Sequence, residues 1–194
     1  MSGIALRYGI TQGQLRRANG IGADNKIRTG QKLQIPTVSS APRSKPAQAG
    51  RAHPQLSASR ASTRNIIAAT ARRYGVDPDL ALAVGWQESR WRHDSFSHKG
   101  AVGAMQCLPQ TARWMSEKVG RTLDVQDVRD NATCGVLLLK TLQAQTDREA
   151  TVLAAYYQGM SSVRSNGPFS STRRYVASVQ GHRDQIAAGK RPRG

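Results

Sequence analysis

The sequence predicts a mainly α-helical protein. Over residues 62–187, apolar residues recur three or four positions apart, which is the spacing of one face of a helix. Helix start signals occur at several positions in this range. The clearest is Asp77-Pro78, an N-cap residue followed by a proline at the first helical position. Strand signals are weak in the same range. A chain of 194 residues has room for one ordinary domain and a small additional module.

Residues 1–36 are predicted to form that small module. Apolar spacing indicates a first helix between Ile4 and Gly9. Thr11 is expected to cap a second helix from Gln12 to Asn19, which ends at the Asn-Gly pair that begins with Asn19. A strand-like segment follows at residues 32–35, before a proline.

Residues 37–61 predict a disordered basic linker. They are rich in Ser, Ala, Pro, Gln and Arg and contain almost no large apolar side chains, so they cannot bury enough surface to offset the entropy of ordering. Residues 188–194 form a basic tail. These two segments carry much of the net charge of +17, which leaves the remainder moderately basic.

Strong basicity makes a nucleic acid the first partner to consider. The sequence contains no zinc-ligand spacing and no aromatic pattern typical of RNA-binding sheets, and its arginine pairs lie on separate predicted helices. We therefore expect no specific nucleic-acid recognition, but a general attraction to polyanions.

The helical region is divided by polar loops into six predicted helices. One of these polar loops runs from Arg92 to Gly103. The predicted helices begin near Thr63, Pro78 and Pro109, directly after Asn131, and near Thr151 and Arg173.

Two cysteines, Cys107 and Cys134, lie in apolar stretches. They are compatible with one disulfide or with two buried thiols, and two cysteines alone cannot form a metal site. No segment reaches the ~18 apolar residues of a membrane helix, and the first residues have no signal-peptide core.

One charged residue, Glu88, falls on the apolar face of the helix that begins at Pro78. Burial disfavours the charged form of a carboxyl group and raises its pKa, which suits a general acid near neutral pH. Periodicity alone favours a surface glutamate at the helix edge, or a buried one paired with Arg90 or Arg92, because acids with perturbed pKa are a minority of helical glutamates.

Five motifs in order decide between these alternatives, because residues 63–186 resemble the catalytic domain of the lysozyme-like soluble lytic transglycosylases. A single such motif would be weak evidence, whereas five at workable spacings are strong. The motifs are Gln87-Glu88-Ser89, the run from Ser97 to Gln106 with Pro109 and Thr111-Ala112, Asn131 with Gly135, Ala155-Tyr156-Tyr157-Gln158-Gly159, and Thr172-Arg173-Arg174-Tyr175-Val176.

The resemblance implies cleavage of the β-1,4 bond between N-acetylmuramic acid and N-acetylglucosamine in peptidoglycan, without metal or other cofactor. Glu88 would protonate the glycosidic oxygen and then take the proton of the muramoyl C6 hydroxyl, which gives a 1,6-anhydro product. One carboxylate then suffices where most glycoside hydrolases use two. The nearest other acid, Asp94, is interpreted as a loop or capping residue.

The same resemblance assigns supporting roles to four further residues. Ser97 and Gln106 would line the cleft and bind substrate, and Tyr156 and Tyr175 would pack beside the acid and donate their hydroxyls to it or to the sugar. The chain departs from the family at Tyr157, where the family usually has Asn. The loss of the Asn is expected to alter how the substrate is positioned. It does not remove the catalytic acid, so we expect activity to be retained.

Residues 1–36 resemble a LysM domain, which binds N-acetylglucosamine chains through a β-α-α-β fold. The two helices and the last strand match, while the first strand would lie before Met1. We therefore expect a partial module of marginal stability, with a true start upstream that would also supply an export signal. The substrate implies an extracellular or cell-wall location, a monomer, and peptidoglycan strands and anionic wall polymers as partners.

Two other functions remain open at this stage. A goose-type lysozyme has a similar fold and one glutamate but uses water instead of the C6 hydroxyl. A wall-binding protein without activity could use the same fold as a scaffold, which Tyr157 leaves possible and the retained Glu88, Gln106 and Tyr175 argue against.

Overall fold

The computed structural model describes residues 12–21, 31–34 and 58–193. The chain divides into two compact units, the first of residues 1–51 and 98–100 and the second of residues 52–97 and 101–194. The predicted helix between Ile4 and Gly9 and most of the predicted linker lie outside the described residues.

In the first unit, helix α1 spans Gln12–Asn19, as predicted, and Leu15 on it is fully buried. The Asn19 side chain donates to the Gln34 carbonyl oxygen at 2.7 Å and accepts from the Gln34 amide at 2.6 Å. Residues 31–34 are irregular, so the described part of the predicted strand pairs with a side chain instead of a strand ladder.

In the described residues of the second unit, the regular secondary structure consists of helices joined by loops, and one loop contains two isolated antiparallel bridges. Its helices are α2 (Arg60–Tyr74), α3 (Pro78–Ser89), α4 (Pro109–Val119), α5 (Val128–Gln143), α6 (Glu149–Gln158), α7 (Met160–Asn166) and α8 (Ser170–Ala187). The predicted mainly α-helical, lysozyme-like class is confirmed.

Most helix boundaries follow from local signals. Asp77 caps α3 through a 2.9 Å bond from the Asp79 amide, and Gly75 ends α2 in the left-handed conformation. Helix α5 begins earlier than predicted, because Asp127 caps it and its first turn already contains Asn131. Helix α7 was not predicted, since it is short and polar and buries only Val163.

Helix α3 is the centre of the core. Its residues 80–86 are all buried, so it has no solvent-exposed face over two turns. It packs against α2 on one side and α8 on the other, while α5 packs against α2, α4 and α6. None of the helices in the described part of the chain is long and apolar enough to cross a membrane.

An ion-pair cluster on the surface fixes α8 against α3 and α6. The guanidinium of Arg183 contacts the Asp77 carboxylate at 2.6 Å and also pairs with Glu149. All three side chains are partly exposed, so their contribution to stability is modest, roughly 1 kcal/mol or less per pair. The cluster links α8, the helix of Tyr175, to the N-cap of α3, the helix of Glu88.

Cys107 and Cys134 form a disulfide, with their Cα atoms 6.4 Å apart. The alternative of two buried thiols is therefore wrong. The bond attaches the end of the loop after α3 to the second turn of α5, in a small apolar cluster with Met115 and Leu123.

Two helices approach this loop so closely that they require glycine. A Cβ atom on Gly135 in α5 would lie 2.5 Å from the Cβ of Met105, and one on Gly85 in α3 would lie 2.9 Å from Ile67 and 3.2 Å from the Met105 sulfur. Met105 is fully buried between them.

We expect Gly135→Ala to lower the free energy of unfolding by about 2 kcal/mol, because the added methyl meets atoms close to the backbone of the loop. Gly181→Ala in α8 is the control, since its Cβ would meet nothing within 4 Å, and it should stabilise by up to about 1 kcal/mol through helix propensity. Urea denaturation of both variants measures the difference. Equal changes in the free energy of unfolding of the two variants would show that an added methyl group at position 135 does not clash with Met105.

Candidate active site

The site is built around the end of α3. The helix is terminated by Arg90 and Trp91, which both adopt left-handed conformations (φ 56° and 60°), so the chain turns away directly after the helix. The Ser89 hydroxyl lies 2.8 Å from the Ala104 carbonyl oxygen and 3.2 Å from that of Gly85. Ser89 therefore holds the following loop against the helix that carries Glu88.

The loop between α3 and α4 is closed by two antiparallel bridges, which pair Val102 with Phe96 and with Cys107. Gly103 has φ 76°, and a Cβ atom there would lie 2.6 Å from both Asn131 and His93. The glycine is required by this close approach. The loop thus folds onto two buried polar side chains.

Asn131 is the first of these anchors. Its side-chain amide donates to the carbonyl oxygens of Val102 at 2.7 Å and Val125 at 3.0 Å, and its oxygen accepts from the Met105 amide at 2.9 Å. The side chain is fully buried, and its three hydrogen bonds hold the backbone at Val102, Met105 and Val125 in place.

His93 is the second anchor, and sequence analysis did not identify it. Its Nδ1 accepts from the Ala104 amide at 3.3 Å, which places the ring proton on Nε2, 2.8 Å from the Gln126 carbonyl oxygen. Burial lowers the pKa of His93 and keeps the ring neutral. A single histidine in a polar loop gives no sequence signal for this role.

Glu88 lies in the last turn of α3, directly before this loop. The Tyr175 hydroxyl donates a 2.6 Å hydrogen bond to its Oε1 atom. Burial raises the pKa of Glu88 from 4.5 to about 7, and the bond from Tyr175 opposes part of that rise by stabilising the carboxylate. The predicted apolar setting of Glu88 is therefore present, whereas neither Arg90 nor Arg92 forms an ion pair with it among the described residues.

The two predicted tyrosines have different partners. Tyr175 contacts Glu88, whereas the Tyr156 hydroxyl donates to the Met105 carbonyl oxygen at 2.8 Å. Burial raises the pKa of both phenols well above 10, and the neighbouring Glu88 charge adds to it. Both hydroxyls therefore keep their protons and act as hydrogen-bond donors.

Tyr157, the departure from the family pattern, stacks on Tyr175. Their ring centroids are 4.6 Å apart at an interplanar angle of 24°, and 51% of Tyr157 is exposed. The stack restricts the ring that donates to Glu88. The next residue, Gln158, accepts from Thr172 at 2.6 Å and from the Phe169 amide, which holds the start of α8 near the end of α6.

The two predicted loop residues serve the loop itself. The Ser97 hydroxyl accepts from the Ala101 amide at 3.0 Å. The Gln106 amide nitrogen donates to the carbonyl oxygens of Gly103 at 2.9 Å and Ser95 at 3.2 Å, with the Gln106 backbone in the left-handed region (φ 47°). Both side chains remain partly exposed on the loop.

The arrangement can give and take protons near neutral pH, since one carboxyl group with a pKa of about 7 lies beside two phenols that stay protonated. Within residues 12–21, 31–34 and 58–193, no group of three or more His, Cys, Asp or Glu residues could hold a metal ion.

The fold and this site define a lysozyme-like catalytic domain. The chain belongs to the transglycosylase SLT domain family, whose model matches residues 65–175. A LysM domain model matches residues 1–36. The predicted family membership is confirmed for both parts.

Curated relatives carry the same domain within longer chains. A membrane-bound lytic murein transglycosylase C of Haemophilus influenzae is 31% identical over 112 residues, which cover 50% of this chain and 31% of the relative. A membrane-bound lytic murein transglycosylase F of Cellvibrio japonicus is 34% identical over 92 residues, or 46% of this chain and 18% of the relative. The match thus spans about a third or less of these relatives.

Solved structures of similar fold include an inactive mutant of the lytic transglycosylase Slt from Pseudomonas aeruginosa. It superposes with a TM-score of 0.57 at 26% identity and covers 66% of this chain and 25% of that one. The 70 kDa soluble lytic transglycosylase of Escherichia coli has a TM-score of 0.58 at 24% identity and the same coverage, which supports the fold.

We expect Glu88→Gln to stabilise the protein above neutral pH. The pKa of Glu88 rises from 4.5 to about 7 on folding, so below pH 4.5 the residue has no effect on the free energy of unfolding. Between pH 4.5 and 7 this free energy falls as the pH rises, and above pH 7 the loss is complete. Because the side chain is only partly enclosed, we expect a gain of about 1–2 kcal/mol at pH 8 and almost none at pH 4.

Urea denaturation at both pH values measures this gain. Glu117→Gln is the control, because Glu117 is an exposed glutamate of α4 and should change stability little at either pH. A gain at pH 8 no larger than that of the control would contradict the raised pKa.

Proposed function

We propose that this protein is a peptidoglycan lytic transglycosylase that cleaves the β-1,4 bond between N-acetylmuramic acid and N-acetylglucosamine. The observation that carries the proposal is the enclosed Glu88 carboxyl, with its pKa raised to about 7 and its 2.6 Å bond from Tyr175. Membership in the transglycosylase SLT domain family and the LysM match supply the substrate class.

Glu88 acts twice in the proposed reaction. In its protonated form it transfers a proton to the glycosidic oxygen while the bond from that oxygen to C1 breaks, and the bonding electrons leave with the N-acetylglucosamine unit. The C6 hydroxyl of the muramoyl residue then bonds to C1, and its proton passes to the Glu88 carboxylate. The acid is restored, a 1,6-anhydro ring forms and no water is consumed.

A pKa of about 7 suits both steps, because an acid with an ordinary pKa would be ionised before it could protonate the substrate. Tyr175 donates to the carboxylate formed after the first step and so stabilises it for the second. The Tyr157–Tyr175 stack keeps that donor in place.

The remaining predicted residues are proposed to bind the glycan. Ser97 and Gln106 lie on the loop that follows α3, where their partly exposed polar groups can contact sugar hydroxyls. Tyr156 is proposed to support the substrate through Met105, whose carbonyl oxygen it holds. Tyr157 offers an exposed aromatic ring where the family usually has an amide.

We propose that each segment of the chain has its own task in acting on peptidoglycan. Residues 1–36 bind glycan strands and residues 62–187 carry the catalytic site. The segment between them acts as a flexible basic linker that ends where α2 begins at Arg60, two residues before the predicted boundary. We propose that the protein acts as a monomer in the cell wall or outside the cell, where the Cys107–Cys134 disulfide is stable.

Product analysis tests the proposed reaction. The protein should release anhydromuropeptides from purified peptidoglycan, and Glu88→Gln should lower the rate by about 1,000-fold or more, because the amide cannot transfer a proton. Glu117→Gln, which removes the same charge on the surface, should keep the wild-type rate. Products with reducing ends instead of anhydro ends would identify a goose-type hydrolase, and undiminished turnover of Glu88→Gln would contradict the role of Glu88.

The pH profile tests the role of Tyr175. Tyr175→Phe removes the hydrogen bond that lowers the pKa of Glu88, so this pKa should rise and the alkaline limb of kcat/KM should move to higher pH. Tyr74→Phe should leave the limb in place, because the Tyr74 ring at the end of α2 contacts Arg73 and forms no hydrogen bond with Glu88 among the described residues. A limb that stays fixed in Tyr175→Phe would show that the bond does not control the acid.

A further inference from the structure

A cavity of about 530 Å³ lies where the start of α2 meets the end of α8. Neither Glu88 nor any residue proposed above to bind the glycan lines it. Its walls are formed by Arg60, Ala61, Arg64, Trp91, Ile186, Gly189, Lys190 and Arg191.

The walls of this cavity are strongly positive. Four of the eight lining residues, Arg60, Arg64, Lys190 and Arg191, carry a positive charge, and none is acidic. The first turn of α2, which contributes Arg60 and Ala61, has no acidic residue either, so the positive end of the helix dipole is not neutralised there. Like charges around one cavity repel each other, and a bound anionic ligand reduces this repulsion.

Two of the arginines are held by stacking on tryptophan rings. The guanidinium carbon of Arg64 is 5.7 Å from the centroid of Trp91, and that of Arg191 is 5.4 Å from the centroid of Trp86. The two indoles contact edge to face at 4.8 Å, and the Trp91 ring nitrogen donates to the Leu82 carbonyl oxygen at 2.9 Å. The arginines therefore rest on a rigid support, which lowers the entropy cost of binding.

The basic segment after α8 is folded against the end of that helix. The Lys190 amide donates to the Gln185 carbonyl oxygen at 2.8 Å, and the Arg193 amide donates to the Gln185 side chain at 3.1 Å. Pro192 is buried. This folding brings Lys190 and Arg191 to the cavity beside Arg60 and Arg64, which are far away in sequence.

We propose that this cavity is a binding site for a soluble phosphodiester polymer, with at least two consecutive phosphates bound between Arg60, Arg64, Lys190 and Arg191. Arginine forks match phosphate oxygens, and a ligand with a single charge would leave most of the four cations uncompensated. The buried floor of Trp91 and Ile186 contacts the short carbon segments between phosphates.

Other polyanions fit the cavity less well. The Trp91 face is covered by Arg64 and only 5% of the residue is exposed, so it offers no platform on which a nucleobase could stack. The large exposed apolar side chains of the described residues, Phe96, Trp114, Tyr157 and Phe169, are not in the cavity wall, so it lacks the apolar rim that would enter a lipid surface.

Titration of the full chain with a glycerol phosphate oligomer tests the proposal. Binding should shift the indole NMR signals of Trp91 and Trp86 and leave that of Trp114 unchanged. At near-physiological salt, the double variant Arg60→Gln/Arg64→Gln should bind about tenfold or more weakly. The control Arg72→Gln/Arg174→Gln, which removes two exposed arginines outside the cavity, should bind less than about twofold more weakly.

Several outcomes would overturn the proposal. Equal weakening in the two double variants would show general charge attraction, and an affinity for inorganic phosphate equal to that for the oligomer would exclude a site for consecutive phosphates. Tighter binding of duplex DNA or of anionic lipid vesicles, with the same loss in the first variant, would assign the cavity to that ligand instead. If thermal unfolding shows that the first variant is misfolded, Lys190→Gln on the exposed segment takes its place, with an expected loss of about threefold or more. None of these outcomes bears on the reaction at Glu88.

Discussion

The packing of Met105 is the constraint on which the rest of the site depends. Its side chain fills the space between α3 and α5, where Gly85 and Gly135 leave no room for a methyl group. Its backbone is held at both ends, since the amide donates to Asn131 and the carbonyl oxygen accepts from Tyr156. One residue thus connects three helices to the loop that follows Glu88.

The chemistry of Glu88 is a consequence of this packing more than of any charged neighbour. Enclosure disfavours the carboxylate, and the protein supplies a single phenol donor, Tyr175, to moderate the effect. A cationic partner would have lowered the pKa below the range in which the group can act as an acid. A carboxyl group whose pKa is raised in this way disfavours the folded state above neutral pH.

Sequence analysis identified the elements with strong local signals and missed the contacts made over long distances in the chain. The start of α3 follows from the Asp77-Pro78 pair, and Glu88 followed from helical spacing together with the ordered motifs. The roles of His93, Ser89 and Met105 could not be predicted, because each depends on a partner that the fold brings from elsewhere. The Cys107–Cys134 bond was left open for the same reason.

Three residues with left-handed backbone conformations lie at the end of α3 and in the loop that follows it, and none of them is glycine: Arg90, Trp91 and Gln106. Each such residue stores about 1 kcal/mol or more of strain. Asparagine adopts this conformation at lower cost, so Arg90→Asn would make the protein more resistant to heat while the turn directly after Glu88 keeps its shape.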